Sequence, residues 1–251
     1  MNQMLSEKIT NYKPSKTLTA ELKRVHFVAL IGPAGIGKNM IARELVKLDG
    51  RYKKVVSHVT RDPRGSEANG VDFHFEPYSE DQLALIEAQV NKQELVQIAQ
   101  HPTTGHLYWS DIEAWNPGGF SVLDVLPRAV EDLRRVEFGN RTEIMLAAYP
   151  DEWQKWFAQR VAELSQHEAD ARKKEAILNI EWGLEQNNVE WVVNRAGKLR
   201  QTARRIIDIV EGNFDNSSQA RRVGEQLLRT IRENQSDMVA ASGFEPLTSG
   251  L

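Results

Sequence analysis

The sequence predicts an α/β protein in which a mainly parallel sheet is flanked by helices and carries a small antiparallel insertion. Short apolar runs alternate with segments of helical period along most of the 251 residues. The first of these runs ends in a glycine-rich turn that leads directly into an amphipathic segment, a strand–loop–helix unit. Between residues 52 and 109 several short runs follow one another, which reads as an antiparallel insertion carried by the sheet.

The elements follow in order. Residues 1–24 are polar, contain Pro14 and hold no sustained period, so they read as a mobile tail with a short helix at 16–23. VHFVALIG (25–32) is a buried strand by its length and branched residues. Ile41, Leu45 and Leu48, with Ala42 beside them, recur at helical spacing. YKKVVSHVT (52–60) reads as a second strand, a charged loop follows at 61–70, and VDFHF (71–75) alternates like a half-exposed strand. Ser79 and Gln82 form a capping box before a helix at 80–90. ELVQIAQ (94–100) and FSVLDV (120–125) are strands, and Pro127 suits the first position of a helix at 127–137. RTEIMLAAY (141–149) is a strand. Pro150, Asp151 and Glu152 then open a helix with apolar stripe Trp153, Trp156, Phe157 and Val161, continuing to 186. VEWVVN (189–194) is a last strand, with helices at 198–211 and 217–234 and a loose end in FEPLTSGL.

Composition narrows the function classes. Hydrophobic residues make up 41% and charged residues 27%, values of an ordinary soluble globular chain. The net charge of −3 argues against a wholly basic nucleic-acid-binding protein. With no cysteine there is no disulfide, thiolate metal site or cysteine nucleophile. The histidines show no metal-ligand spacing. The N-terminal segment lacks the apolar stretch of a signal peptide, and no run is long enough to span a bilayer, so the expectation is a cytoplasmic protein with neither membrane nor nucleic acid as partner.

Gly32-Pro33-Ala34-Gly35-Ile36-Gly37-Lys38 fits the first seven positions of the phosphate-loop pattern, with a strand before it and a helix after it. The glycines let backbone N–H groups turn toward phosphate oxygens, the helix presents its positive end, and Lys38 neutralises β- and γ-phosphates. The eighth position, normally a Ser or Thr whose hydroxyl meets magnesium, is Asn39, followed by Met40. An amide oxygen can also meet a hard cation, on a longer arm.

The next segment carries a more specific pattern. Ser57-His58-Val59-Thr60-Arg61-Asp62-Pro63-Arg64, then Gly65, Glu67, Gly70, Asp72, Phe73 and Phe75, resembles the guanylate kinase family, which has S-H-T-T-R-x-P-R followed by G-E-x-x-G-x-D-Y-x-F. The resemblance runs from about 25 to 211 and after 126 is mostly element order. It implies a three-layer P-loop fold with a mainly parallel sheet, an antiparallel monophosphate-binding lobe at 52–110 and a helical lid at 151–186. It places the family domain at 25–212, between a tail at 1–24 and a C-terminal helix and loose tail at 213–251. The activity it implies is transfer of the ATP γ-phosphoryl group to GMP or a related monophosphate, with Mg²⁺. Residues 32–40 and Asn194, which matches the end of the family's V-I-V-N near adenine, would bind ATP. Ser57, Arg61 and Arg64 would hold the acceptor phosphate. Two guanidinium forks three residues apart can share one dianion, although solvated loop arginines remain the alternative. GHLYWS (105–110) resembles the family's G-N-x-Y-G-T/S, so Tyr108 would bond the acceptor phosphate and Ser110 the guanine edge. An insertion at 102–104 interrupts this match, and Trp109 reads as a packing aromatic. Arg160 and Arg172 fall in the lid region, where the family embraces the transferred phosphoryl group with arginines, and solvated helix residues are the other reading.

Departures fall on functional positions. Asn39 replaces the loop hydroxyl. Phe73 stands where the family has Tyr, and Gln97 where it has the Glu that accepts from guanine N1–H and N2–H. Of the family's D-x-D strand end, Asp124 is kept near the metal and Leu126 replaces the second acid. The metal ligands implied are Asn39 and Asp124. The sequence therefore leaves two functions open: a phosphotransferase with an altered acceptor site, and a catalytically weak or inactive module that binds a partner through the old monophosphate site. Arginines 200, 204, 205, 221, 222, 229 and 232, interspersed with acids, read as solvated helix faces.

Overall fold

Strands and helices alternate as the apolar pattern requires in the computed structural model, which describes residues 3–65, 67–101, 104–213 and 218–241. By its internal contacts the chain forms two units, residues 1–31 with 39–144 and residues 32–38 with 145–251. No helix among the described residues is long and apolar enough to cross a membrane.

The first unit begins with α1 (Gln3–Thr10) and α2 (Lys16–Leu22) and continues into β1 (His26–Ile31). Five consecutive residues of β1, Phe27 to Ile31, are fully buried, as expected of a strand covered on both faces. After α3 (Lys38–Leu48), β2 (Tyr52–Lys54) and later β7 (Phe120–Asp124) join β1, with β7 paired parallel to both. The strand order is β2-β7-β1-β8, where β8 is Asn140–Ala147. Tyr52 stacks on Phe120, and the rings of Phe27, Trp115 and Phe138 pack on one another. A second sheet of order β4-β3-β6-β5 is built from β3 (His58–Val59), β4 (His74–Phe75), β5 (Gln97–Gln100) and β6 (Leu107–Ser110). Its β3–β6 and β6–β5 pairs are antiparallel and its β3–β4 pair parallel, so the insertion is a mixed sheet. Helix α4 (Glu80–Lys92) covers one face, and α5 (Pro127–Arg134) follows β7 with Pro127 at its start.

The second unit holds the glycine-rich loop, the end of β8, α6 (Pro150–Val161), α7 (Gln166–Glu185), β9 (Glu190–Val193), α8 (Leu199–Val210) and α9 (Ser218–Ala241). Strand β9 pairs beside β8. Trp191 of β9 is 1% exposed and lies so close to Gly183 and Gly224 that a Cβ at Gly224 would come within 2.3 Å of its ring.

Several expectations change. The run at 52–60 is divided between two sheets, with 55–57 crossing from one to the other. The helix expected to run from 150 to 186 is broken at 162–165. There Ser165 and Glu168 form a complete capping box that starts α7. At α4 only half of the expected box is present, Ser79 accepting from the Gln82 N–H. The segment at 1–24, read as a mobile tail, instead places α1 against the mixed sheet. Leu5 and Ile9 join Ile86, Val90, Leu95, Ile98, Leu107 and Trp109 in one cluster, and the Tyr12 hydroxyl both donates to the Leu95 carbonyl and accepts from its N–H. Of the C-terminal arginines, Arg221 is not a solvated face residue: it donates to the carbonyls of Leu184 and Gln186 at the end of α7. Pro102, Thr103 and FEPLTSGL lie outside the described residues.

Candidate functional site

In the second unit the glycine-rich loop is built by its own sequence and braced by side chains brought from far along the chain. Gly35 and Gly37 have φ of +80° and +90°, a region that side chains with a Cβ rarely adopt. Trp153 of α6 donates its indole N–H to the Ala34 carbonyl at 2.9 Å. Asn194, just after β9, donates its amide to the Ile36 carbonyl at 2.9 Å and accepts from the Thr202 hydroxyl at 3.1 Å. Lys38 Nζ donates to the carbonyls of Gly32 and Pro33 at 2.7 and 3.3 Å. In a trans peptide the carbonyl and the following N–H point in opposite directions. Drawing the carbonyls of Ala34 and Ile36 to these braces therefore turns the N–H groups of Gly35 and Gly37 the other way, the arrangement an anion needs. Met40 is exposed at the start of α3. Arg160 is exposed in the last turn of α6, while Arg172 of α7 is half-buried and paired with Glu175 at 2.8 Å, so the two lie on separate helices. Trp153 and Thr202 escaped the reading of the sequence. An indole joins a large apolar body to a polar handle, and that is the signal Trp153 offered beyond its apolar spacing.

In the first unit the mixed sheet gathers most of the residues matched to an acceptor. Directly paired residues share a face, and successive residues alternate. The pairs Gln97–Ser110, Ala99–Tyr108, Tyr108–Val59 and Val59–Phe75 thus put Gln97, Ser110, Tyr108 and Phe75 on one face, and alternation adds Ser57, Arg61 and Phe73. The opposite face carries His74, His58, Trp109 and Ile98, with Trp109 2% exposed in the cluster under α1 and α4.

Arg61 lies on the first of these faces. Its side chain is 6% exposed, its guanidinium carbon lies 5.0 and 5.5 Å from the rings of Phe73 and Phe75, and its Nε–H points to the Tyr108 hydroxyl at 3.3 Å. Nη1 and Nη2 donate to the two oxygens of Glu67 at 2.6 and 2.9 Å, and Nη1 also to the Asp62 carbonyl. Burial disfavours the charge on both partners, and their mutual bonds outweigh it, so the Arg61 pKa is raised and that of Glu67 lowered. Glu67 also accepts from the Arg64 backbone N–H. Arg61 therefore already holds a carboxylate in the fork that the sequence assigns to phosphate. Ser57 is buried on this face. Ser110 is fully buried, its oxygen accepting from the Trp115 indole at 3.0 Å.

Asn39 leads to a second cluster. Its amide nitrogen donates to Asp72 Oδ1 at 2.6 Å, and Arg43 donates to the same oxygen at 2.6 Å. Asp72 Oδ2 accepts from the Ala68 N–H, and Lys54 Nζ lies 3.7 Å from Oδ1. Asp72 is a buried carboxylate whose ionisation burial opposes, yet these bonds and the Lys54 charge hold its pKa below the ordinary value. Burial in turn lowers the pKa of Lys54, against the pull of Asp72 and of Asp124, which is exposed at the end of β7. Asn39 Oδ1 is buried without a hydrogen-bond partner among the described residues.

A family model described as guanylate kinase matches residues 24–194, more than half of the chain. Among curated proteins, the guanylate kinase of Schizosaccharomyces pombe is 34% identical over 84 residues, covering 33% of this chain and 40% of its own. That of Halalkalibacterium halodurans is 36% identical over 86 residues, covering 34% and 39%. MAGUK p55 subfamily member 7 of Danio rerio is 28% identical over 120 residues, covering 46% and 20%. The match thus spans less than half the length of each of these relatives. The crystal structure of guanylate kinase from Anaplasma phagocytophilum aligns with 88% of this chain and 96% of its own at 19% identity, with a TM-score of 0.49. With the family model matching residues 24–194, a span that includes both the glycine-rich loop and the mixed sheet, the chain belongs to the guanylate kinase family.

Proposed function

We propose that the protein is an ATP-dependent nucleoside monophosphate kinase that transfers the γ-phosphoryl group of ATP to GMP or a related monophosphate. The observation that carries this reading is the braced phosphate loop: its carbonyls are tied back by Trp153 and Asn194, and a module that only bound a partner would have no need of it. The loop N–H groups and Lys38 would hold the β- and γ-phosphates. Asn39 Oδ1, a buried oxygen with no hydrogen-bond partner among the described residues, and the Asp124 carboxylate are hard donors that suit Mg²⁺. Bound there, the ion would neutralise phosphate charge. Ser57, Arg61, Arg64 and Tyr108 would grip the acceptor phosphate, with Phe73 walling the guanidinium and Gln97 and Ser110 toward the base. Arg160 and Arg172 would stabilise the transferred group. An acceptor phosphate oxygen bonds to the γ-phosphorus while the bond to the β–γ bridging oxygen breaks, releasing ADP. The protein's part is positioning and electrostatics.

A second reading, a catalytically weak module that binds through the same face, draws support from the Arg61–Glu67 pair and from Leu126 in place of the second acid. Calorimetric titration with Mg²⁺–ATP, then GMP, dGMP, AMP, CMP and UMP, together with a measurement of ADP release, separates the two. Kinase function requires ATP binding and ADP release with at least one monophosphate. ATP binding without turnover on any of them favours the module, and absence of ATP binding refutes the first reading.

A further inference from the structure

We infer that Asp72 is a positioning residue that sets the side-chain amide of Asn39, so that Asn39 offers an oxygen and not an NH2 group to the cation accompanying a nucleoside triphosphate. The inference rests on the reading of Asn39 as a metal-facing residue.

A hydroxyl at this position could rotate to suit a cation. An amide has two unlike ends, and one of them repels a cation. Something must therefore fix which end faces it. Asp72 does so by its chemistry. Arg43 donates to the same oxygen as Asn39, Lys54 lies 3.7 Å from it, and the Ala68 N–H donates to the other, so both oxygens of Asp72 serve as acceptors. The 2.6 Å contact from Asn39 is then possible only with the NH2 end toward Asp72. The oxygen is forced to the opposite side, and there it is buried with no partner among the described residues. A buried acceptor left unmade is costly, and a hard cation is the ligand that would repay it.

The test is the gain in ATP affinity that Mg²⁺ confers, read by calorimetry with Mg²⁺ and with EDTA. In Asp72→Asn the side chain is no longer acceptor-only, so Asn39 is no longer obliged to turn its NH2 end toward it. The Mg²⁺ gain should fall about ten- to hundredfold, as for loss of a bond to a charged group, while metal-free ATP binds as in wild type. Asp72→Asn also removes a negative charge, so the decisive arm is the Asn39→Ser background. A serine hydroxyl needs no orienting partner, and there Asp72→Asn should leave the Mg²⁺ gain unchanged. An equal fall in both backgrounds, or none in either, overturns the inference. A wild-type Mg²⁺ gain in Asn39→Ala would overturn it by a different route, removing Asn39 from the metal site while sparing the loop. Failure of wild type to bind ATP would overturn it together with the kinase reading. Should Asp72→Asn not fold, wild-type protein labelled at asparagine decides. On adding Mg²⁺ to the ATP complex the Asn39 carbonyl carbon resonance should move and its amide protons stay, and the reverse pattern overturns the inference.

Discussion

Removing the Asn194 side chain tests whether the loop is held ready or assembled by the ligand. The Ile36 carbonyl that Asn194 caps belongs to a residue with no exposed surface, and Asn194 itself is 6% exposed, so water does not readily replace the lost donor. Leaving such a carbonyl unmade costs about 1–3 kcal/mol. In Asn194→Ala this cost falls either on the folded state or, if the loop relaxes, on restoring the loop for ATP. In the second case ATP affinity drops about fivefold to 150-fold. Asn194→Asp is the sharper variant, because it keeps the shape but turns an acceptor toward an acceptor, and it should cost more than alanine. The assay is calorimetry with ATP, GTP and inorganic tripolyphosphate, paired with thermal melts. A brace acts on phosphate binding, so all three ligands should weaken by the same factor. A contact to adenine, the role the family resemblance implies, would weaken ATP alone. Loss confined to ATP, or unchanged affinity and unchanged melting in both variants, would refute the bracing role.

Lys38→Ala should abolish ATP binding with the circular dichroism unchanged, and undiminished affinity by calorimetry would remove the loop from the site. Gln97→Glu restores a carboxylate on the face that carries Tyr108 and Ser110 and should raise kcat/KM for GMP over AMP by up to the order of 1–3 kcal/mol. An unaltered ratio of the two acceptors would exclude Gln97 as base reader. Glu67→Gln weakens the carboxylate grip on Arg61 without emptying its space and should tighten monophosphate binding; weaker binding would mean that the pair orders the face. Burial favours neutral His58, but Asp111 and Glu76 on its two ring nitrogens outweigh this and raise its pKa, with His74 stacked alongside. A raised folded pKa gives stability that is complete below about pH 6.5 and lost as pH rises through the folded value, so wild type should lose more melting temperature from about pH 6 to 8 than His58→Gln. Parallel pH profiles of the two would exclude this contribution.

The parts legible in the sequence are those written in local pattern. Strand β1, the glycine loop and α3 follow from one apolar run, three glycines and one helical stripe, all within about 25 residues. The break between α6 and α7 was equally local, since Ser165 and Glu168 carry a capping box, but the long polar stretch around it masked the signal. Helix α1 could have been found from Leu5, Ile9 and Tyr12, spaced four and three apart. The split of 52–60 could not, because a single β-rich run does not say which sheet each half joins. The bonds from Asn194 to Ile36, Trp153 to Ala34 and Asn39 to Asp72 cross 158, 119 and 33 residues, and no periodicity encodes them.

Arg61 illustrates why a correct motif can still hide the state of its residues. A guanidinium exposed to only 6% must have an anion beside it, for an unpaired buried charge is far costlier than a paired one. The loop supplies one: Glu67, six residues on, folds back and closes onto the fork, and the Arg64 N–H steadies it. Carboxylate and phosphate both accept bidentately from the same fork, so the chain provides for itself what a monophosphate would bring. This makes the two functional readings differ in a definite way. On the kinase reading, an acceptor phosphate that took this fork would displace Glu67, and the strength of the internal pair would then subtract from acceptor affinity. A module keeps the pair as a rigid wall of aromatic rings and guanidinium and offers that wall to a partner. The residues named by the motif are the same in both cases, and an exchange between two anions on Arg61 is a step that only the first of them would need.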